Sequence, residues 1–431
     1  MALRETVRSW WRQFWADLKA GTDPGLLGVL RFFGFLYGPI DRTLPIDRAF
    51  RKALRYRLPS YVGWRHAFGG IVYVLFLVLV VTGVLLSFYY RPSAQEAHQS
   101  VQYIVTRVSF GWLVRDVHVW SANFIVVALL VHMARVYFEG AYKPPRETTW
   151  LVGLLLFFVV LLFGTTGYLL PWDQWAYWTV TEGLDALARV PLVGGLVARL
   201  WRGDVWVSGA TLSRFFAFHV IVLPWLALAL LGFHFALVRR HGIAPPPGAA
   251  VDPERARAEG VPFYPHHLLR SFMVSVLVLA LVVTAALLFP RPIAEPADPA
   301  APPGELVSTW VVVDAVRGLL LHVGVWGFAA FLLFGIGLAL LPLLDRRPER
   351  RISRRPVATV LGVIVFGGWL LAWLAGQRVR SVPPSPGLRP AGVVEERVVP
   401  APPSRPLREP GLVPPAPAPG ARGRPSPGRG E

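Results

Sequence analysis

Hydrophobic residues gather into seven long runs along the chain, at about 68–90, 117–137, 150–170, 214–238, 268–289, 318–344 and 357–375. Each is close to the ~20 residues that a helix needs to cross a hydrocarbon layer. Lettered A to G in order, they predict an all-α polytopic membrane bundle of seven transmembrane helices. Residues 1–67 mix arginines with aromatic clusters such as Trp10-Trp11 and Phe32-Phe33, which predicts a basic interfacial segment. No apolar core of about 7–15 residues follows the first charges, so no cleavable signal peptide is expected. Residues 377–431 are rich in Pro, Arg, Gly and Ala and predict a disordered tail. Between these ends, 68–245 holds the first four runs and 246–376 the last three.

The loops set the orientation. The B–C loop carries Lys143 and Arg146, the D–E loop Arg239, Arg240, Arg255 and Arg257, and the F–G loop six arginines between Arg346 and Arg355. These alternate loops lie on one side, with the basic N-terminal segment, and short-loop arginine marks the cytoplasmic face. Run A to run B, C to D and E to F then connect on the opposite, positive face, where the tail also ends. Composition agrees: 54% of residues are hydrophobic and only 16% charged, against roughly 25% in a soluble domain. The net charge of +18 would suggest nucleic acid in a soluble protein, but here its arginines sit between apolar runs, so no nucleic acid partner is expected. There is no cysteine, which excludes disulfides and any haem attached through this chain's thiols.

Four histidines carry the candidate chemistry. His118 and His132 lie 14 residues apart on run B, His219 and His234 15 apart on run D. Such steps return to a similar helix face after about 21–22 Å. Runs B and D point the same way, so His118 should face His219 and His132 should face His234. Each pair could supply two axial imidazoles to a b-type haem. Gly69 and Gly83 on run A, and Gly153 and Gly167 on run C, repeat the 14-residue spacing. They would let the flanking backbones approach two flat macrocycles, although small residues also serve ordinary helix packing. A haem-free transporter would use intramembrane histidines as a proton or substrate path, but it leaves the paired glycines unexplained. Pro224 interrupts run D and should kink it.

Several stretches resemble cytochrome b of quinol-oxidising cytochrome bc complexes: SVQYIVTRVSFGWLVRDVHVW at 100–120, HMARVYFEGAYKPPRETTW at 132–150, GYLLPWDQWAYW at 167–178 and FHVIVLPWLALALLGFHF at 218–235. The 15-residue histidine step on run D is like the chloroplast-type protein. EPADP at 295–299 and RRPVAT at 354–359 resemble that complex's separate subunit IV, so the chain looks like both pieces fused. The resemblance implies a four-helix core holding two b haems, with His118, His219, His132 and His234 as iron ligands. It implies quinone as substrate at two sites, a Rieske iron–sulfur protein or cytochrome c subunit as partner, a homodimer within a larger complex, and a bacterial inner membrane with a cytoplasmic N-terminus. Arg115 and Arg135 match arginines near haem propionates, a pairing that low dielectric favours, and both also suit helix-end anchors. Arg239 matches a basic residue at the cytoplasmic quinone site, and the Pro171-Trp172-Asp173 turn would line the outer one.

The chain departs from the family at three points. Ala67 stands where the chloroplast type has the cysteine that tethers an extra haem, so no covalent haem is expected. Val119 replaces a basic residue after the first ligand. Most consequentially, ungapped alignment from EPADP puts Ser308-Thr309-Trp310-Val311 where the outer quinol site carries Pro-Glu-Trp-Tyr. A threonine cannot accept a proton near neutral pH as a carboxylate can. Trp310 survives, and Glu305, Asp314 and His322 are the nearby groups that could substitute. Two functional readings follow: a bifurcating cytochrome b subunit, or a dihaem membrane anchor that joins one quinone site to another periplasmic redox subunit.

Overall fold

The computed structural model describes residues 8, 12, 56–249, 251–303, 310–315 and 326–376. The expectations for residues 1–55, for the tail, and for Glu305, Thr309 and His322 lie outside these. Six helices are long and apolar enough to cross a membrane among the described residues. We label the helices in chain order: α1 Phe68–Ser87, α2 Ala97–Arg107, α3 Gly111–Phe138, α4 Glu147–Tyr168, α5 Gln174–Ala188, α6 Gly194–Arg202, α7 Gly209–Ala217, α8 Leu223–His241, α9 Pro253–Ala258, α10 Leu268–Leu288, α11 Trp326–Leu344 and α12 Pro356–Gly376. Runs A, B, C, E, F and G are α1, α3, α4, α10, α11 and α12. Run D is α7 and α8 together.

The differences from the sequence reading have local causes. Run B begins six residues earlier than the apolar pattern does, because Arg115 and Asp116 neutralise each other at 3.0 Å and the helix can carry them inside. In run D, a π-helical turn at Phe218–Val222 joins α7 to α8, so Leu223-Pro224 opens a new helical segment. Proline has no N–H and its ring displaces the carbonyl four residues back, and a wider turn absorbs both. The C–D connection is itself helical. Asp173 caps α5 by accepting from the Ala176 N–H at 2.9 Å, and Ser208 caps α7 through the Ala210 N–H.

Pairwise packing organises the bundle. α1 lies along α3, and α4 along α8, with α10 against α3. One core cluster includes Leu75, Val126, Leu129, Phe157, Val282 and Trp310, and unites α1, α3, α4 and α10. Aromatic side chains tie this core to the last helices: Trp150 Nε1 donates to the Leu338 carbonyl (2.7 Å) and Tyr137 Oη to the Ala358 carbonyl (2.7 Å). Large apolar side chains such as Leu77, Val81, Leu277 and Leu371 remain exposed on outward faces, as lipid-facing helices require. A two-residue antiparallel pairing of β1 (Arg57–Leu58) with β2 (Val261–Pro262) ties the segment before α1 to the segment before α10.

Candidate functional site

The helix pairing brings each glycine of the 14-residue repeats to a histidine on the neighbouring helix. A Cβ built on Gly83 would lie 3.3 Å from His118 Cε1, and one on Gly69 3.4 Å from His132 Cε1. On the other pair of helices, the distances are 2.5 Å from Gly167 to His219 Cε1 and 3.2 Å from Gly153 to His234 Cε1. The glycines therefore clear space for the Cε1–Nδ1 edges of the imidazoles.

His118 and His219 face each other, with ring centroids 6.3 Å apart. A metal bonded to two imidazole nitrogens at about 2 Å each puts the ring centres roughly 6 Å apart. The separation thus fits one iron held between Nε2 atoms. His219 Nδ1 lies 3.0 Å from the Phe163 carbonyl oxygen and 3.2 Å from Thr166 Oγ1. A carbonyl only accepts, so Nδ1 carries the proton and Nε2 is left as the ligand atom. His118 Nδ1 is 2.8 Å from Thr82 Oγ1, whose own hydroxyl hydrogen goes to the Val78 carbonyl at 2.6 Å. His118 then donates from Nδ1, and its Nε2 is free to bind metal as well.

His132 and His234 share a cavity of about 280 Å³ between α1, α3, α4 and α8, whose lining includes Gly69 and Gly153. The Nδ1 atoms of this pair are buried without a hydrogen-bond partner among the described residues. Arg135 and Arg146 also line the cavity. Arg135 is paired with Glu139 at 3.0 Å, and Arg146 donates to the carbonyls of His241 and Gly242. Two imidazoles, two glycine clearings and two guanidiniums on one apolar cavity fit a flat, carboxylate-bearing cofactor.

The remaining predicted residues are distributed as follows. Arg115 is buried and committed to Asp116 and to the Arg291 carbonyl at 2.6 Å. Arg239 is exposed, over the Tyr56 ring. Pro171 and Trp172 lie on a turn in which Trp172 adopts a left-handed φ of 50°. That turn bonds directly to the E–F segment: Gln174 N–H donates to the Glu295 carbonyl (2.9 Å), Ala297 N–H to the Trp172 carbonyl (3.1 Å), and Ala294 N–H to Asp173 Oδ2 (3.3 Å). Burial raises the Asp173 carboxyl above the usual range, against these N–H contacts. Trp310 is 6% exposed and its indole lies against Gly164 of α4, where any Cβ would overlap it. Asp314 is 6% exposed, in the helical turn 311–315, within the electrostatic reach of Arg291.

Sequence reasoning missed Thr82 and Thr166, which each precede an outer glycine as Thr-Gly. The signal was present: the inner glycines follow Phe68 and Val152 instead. It also missed His66 and Tyr142 on the cavity wall, since neither belongs to a repeating pattern.

Paired intramembrane imidazoles with glycine clearings define a multi-pass membrane protein built to hold b-type haem. The family model described as cytochrome b/b6/petB matches residues 54–242. Cytochrome b6 of Synechococcus sp. (strain JA-3-3Ab) is 42% identical over 211 residues, which is 49% of this chain and 98% of the relative. Cytochrome b6 of Gracilaria tenuistipitata var. liui is 45% identical over 213 residues, 49% of this chain and 99% of the relative. A chain of a solved hyperthermophilic respiratory Complex III aligns with a TM-score of 0.70 at 31% identity, over 81% of this chain and 92% of that one. The chain belongs to the cytochrome b/b6 family, whose members bind b-type haem and interact with quinone.

Proposed function

We propose that this chain is the dihaem, quinone-reactive subunit of a quinol oxidoreductase in a bacterial inner membrane, with its N-terminus in the cytoplasm. It would carry electrons between an outer and a cytoplasmic quinone site. The observation that carries this reading is the fourfold match of histidine to glycine across two helix pairs, with one imidazole pair at 6.3 Å.

When bound, b-type haem supplies a reversible one-electron couple. The chain's own residues do the rest. His118 with His219, and His132 with His234, hold the two irons. Thr82, Thr166 and the Phe163 carbonyl fix the outer imidazole tautomers. Arg135 and Arg146 offer charge to carboxylates in the inner cavity. The turn at Pro171–Asp173, bonded to residues 294–297, builds the outer quinol site together with Trp310, and Asp314 is the described carboxylate assigned to take its proton. A Rieske iron–sulfur protein or a cytochrome c subunit would accept electrons outside, and the chain would work as a homodimer within a larger complex, bedded in lipid.

One feature favours a second reading, a non-bifurcating dihaem anchor: counted ungapped from EPADP, Thr309 falls where the resemblance implies the family's proton-accepting glutamate. Oxidant-induced reduction separates the two. The purified complex is supplied with quinol, the cytoplasmic site is blocked, and an oxidant pulse is added while the b band is recorded. Extra b reduction is expected. A b band that responds without it establishes the anchor, and no b band refutes both readings.

A further inference from the structure

The inner cavity extends beyond its histidine pair. His132 lies six residues before the end of α3, roughly 9 Å along the axis. The lining continues past the ends of α3 and α8 to Tyr142, Arg146 and Gly242–Ala244, with His66 on the same wall. His66 closes the short 3-10 turn Trp64–His66 just before α1.

The tautomer of His66 follows from one contact. The Gly63 N–H donates to His66 Nδ1 at 3.1 Å. An amide can only donate, so the neutral ring must carry its proton on Nε2. Burial, then the nearby Arg135 cation, lowers the imidazole to about 4, so the ring is neutral near pH 7. Nε2 is buried and has no hydrogen-bond partner among the described residues. A buried donor without an acceptor is costly, and here it belongs to a ring that borders a cavity. An acceptor oxygen on a molecule bound in that cavity would meet this need.

We propose that His66 is a quinone-binding residue of the cytoplasmic site, donating from Nε2–H to a quinone carbonyl oxygen in the far end of this cavity. The assignment rests on the quinone-reactive reading above. A neutral donor suits a neutral carbonyl, whereas the carboxylates of a haem have Arg135 and Arg146 on the same walls.

The test uses the complete complex with the outer site blocked. His66→Phe keeps a ring and removes the donor, and His66→Gln restores a donor. The b-haem spectrum and midpoint potentials are recorded first. The rate at which added quinone reoxidises the reduced b band is then measured against quinone concentration. For His66→Phe, the concentration for half-maximal rate should rise about tenfold, the size of one neutral hydrogen bond. Potentials should stay unchanged, and His66→Gln should recover most of the loss. His66→Met, equally donor-free, should show the same rise and serves if phenylalanine disturbs assembly. Unaltered quinone dependence in the donor-free variants overturns the assignment. So does a shifted haem potential with wild-type quinone dependence, which would give the donor to a haem carboxylate. A wild-type complex without a b band removes the functional reading itself, and the assignment with it.

Discussion

Gly167→Ala is the sharpest probe of the histidine pairs. The added methyl would meet His219 Cε1 at 2.5 Å and Nδ1 at 3.0 Å, whereas ordinary contact begins at 3.4 Å. The ring is poorly placed to yield. Its Nδ1 is bound to the Phe163 carbonyl and Thr166, and the Phe163 ring stands edge-on at 5.5 Å. Relief therefore needs a shift of about 1 Å, half the length of a metal–imidazole bond of roughly 2 Å. Overpacking of this kind costs about 1–3 kcal/mol, or roughly a 5- to 150-fold loss of haem affinity at that site. Reduced-minus-oxidised spectra and a redox titration of the purified complex should show one of two b components weakened or lost. Gly153→Ala, Gly83→Ala and Gly69→Ala, with contacts of 3.2, 3.3 and 3.4 Å, should do progressively less. Gly70→Ala, with nothing among the described residues within 4 Å, is the control and should match wild type. If Gly167→Ala keeps both components at native potentials, the glycine does not serve the ligand.

Two further outcomes follow from the polar contacts. Thr82→Val removes the oxygen 2.8 Å from His118 Nδ1, which should lower the ligand's basicity. One b potential should rise by roughly 20–60 mV, the equivalent of one hydrogen bond, and a potentiometric titration would read it; an unchanged potential removes Thr82 from the site. Asp345 binds Lys143 at 2.7 Å, Arg355 at 2.6 Å and Tyr142 at 2.5 Å. Asp345→Asn leaves two buried cations without their carboxylate and should cost about 3 kcal/mol, seen as a lower Tm in detergent. Burial alone would raise the Asp345 carboxyl, but hydrogen bonds from Lys143, Tyr142 and Arg355 outweigh it and hold it below the usual range. A depressed acid stabilises the fold above its unfolded value. The contribution should persist from neutral pH down to about 4 and fall away below that. Equal acid sensitivity in wild type and Asp345→Asn would exclude the cluster as its source.

The long apolar runs and the histidine spacing were legible because each is a property of one helix, repeated along its own axis. The pairing of His118 with His219 needed only the alternation of helix directions. The role of the glycines was half legible: their spacing announced a close approach, but the partner atom belongs to another helix. Arg115 shows a different limit. Neighbouring residues on a helix ordinarily point apart, so its contact with Asp116 could not be read from their adjacency. α5 and α6 were hidden inside a loop because each is too short for a membrane-length pattern. The Asp173–Pro296 bridge joins backbone to backbone across the bundle, and no side-chain pattern encodes such a bond.

The proposed outer site is made of parts whose meaning is set by their contacts. Gly164 and Gly167 lie on one turn of α4, three residues and so about 60° apart. The first receives the indole of Trp310, and the second receives the imidazole of His219. One turn of backbone therefore abuts both Trp310 and His219, the proposed ligand of the outer iron. The segment bearing Trp310 is fixed to α3 as well, through the Val311 N–H donating to Asn123 Oδ1 at 2.8 Å. A displacement of Trp310 by substrate would therefore press on α3 and α4, the helices bearing His118 and Gly167. Thr309 lies next to that tryptophan. On the proposed reading, a threonine in place of a carboxylate alters proton acceptance at the outer site and not the contacts of Trp310, so Trp310→Ala should weaken quinol binding there even where Asp314 takes the proton.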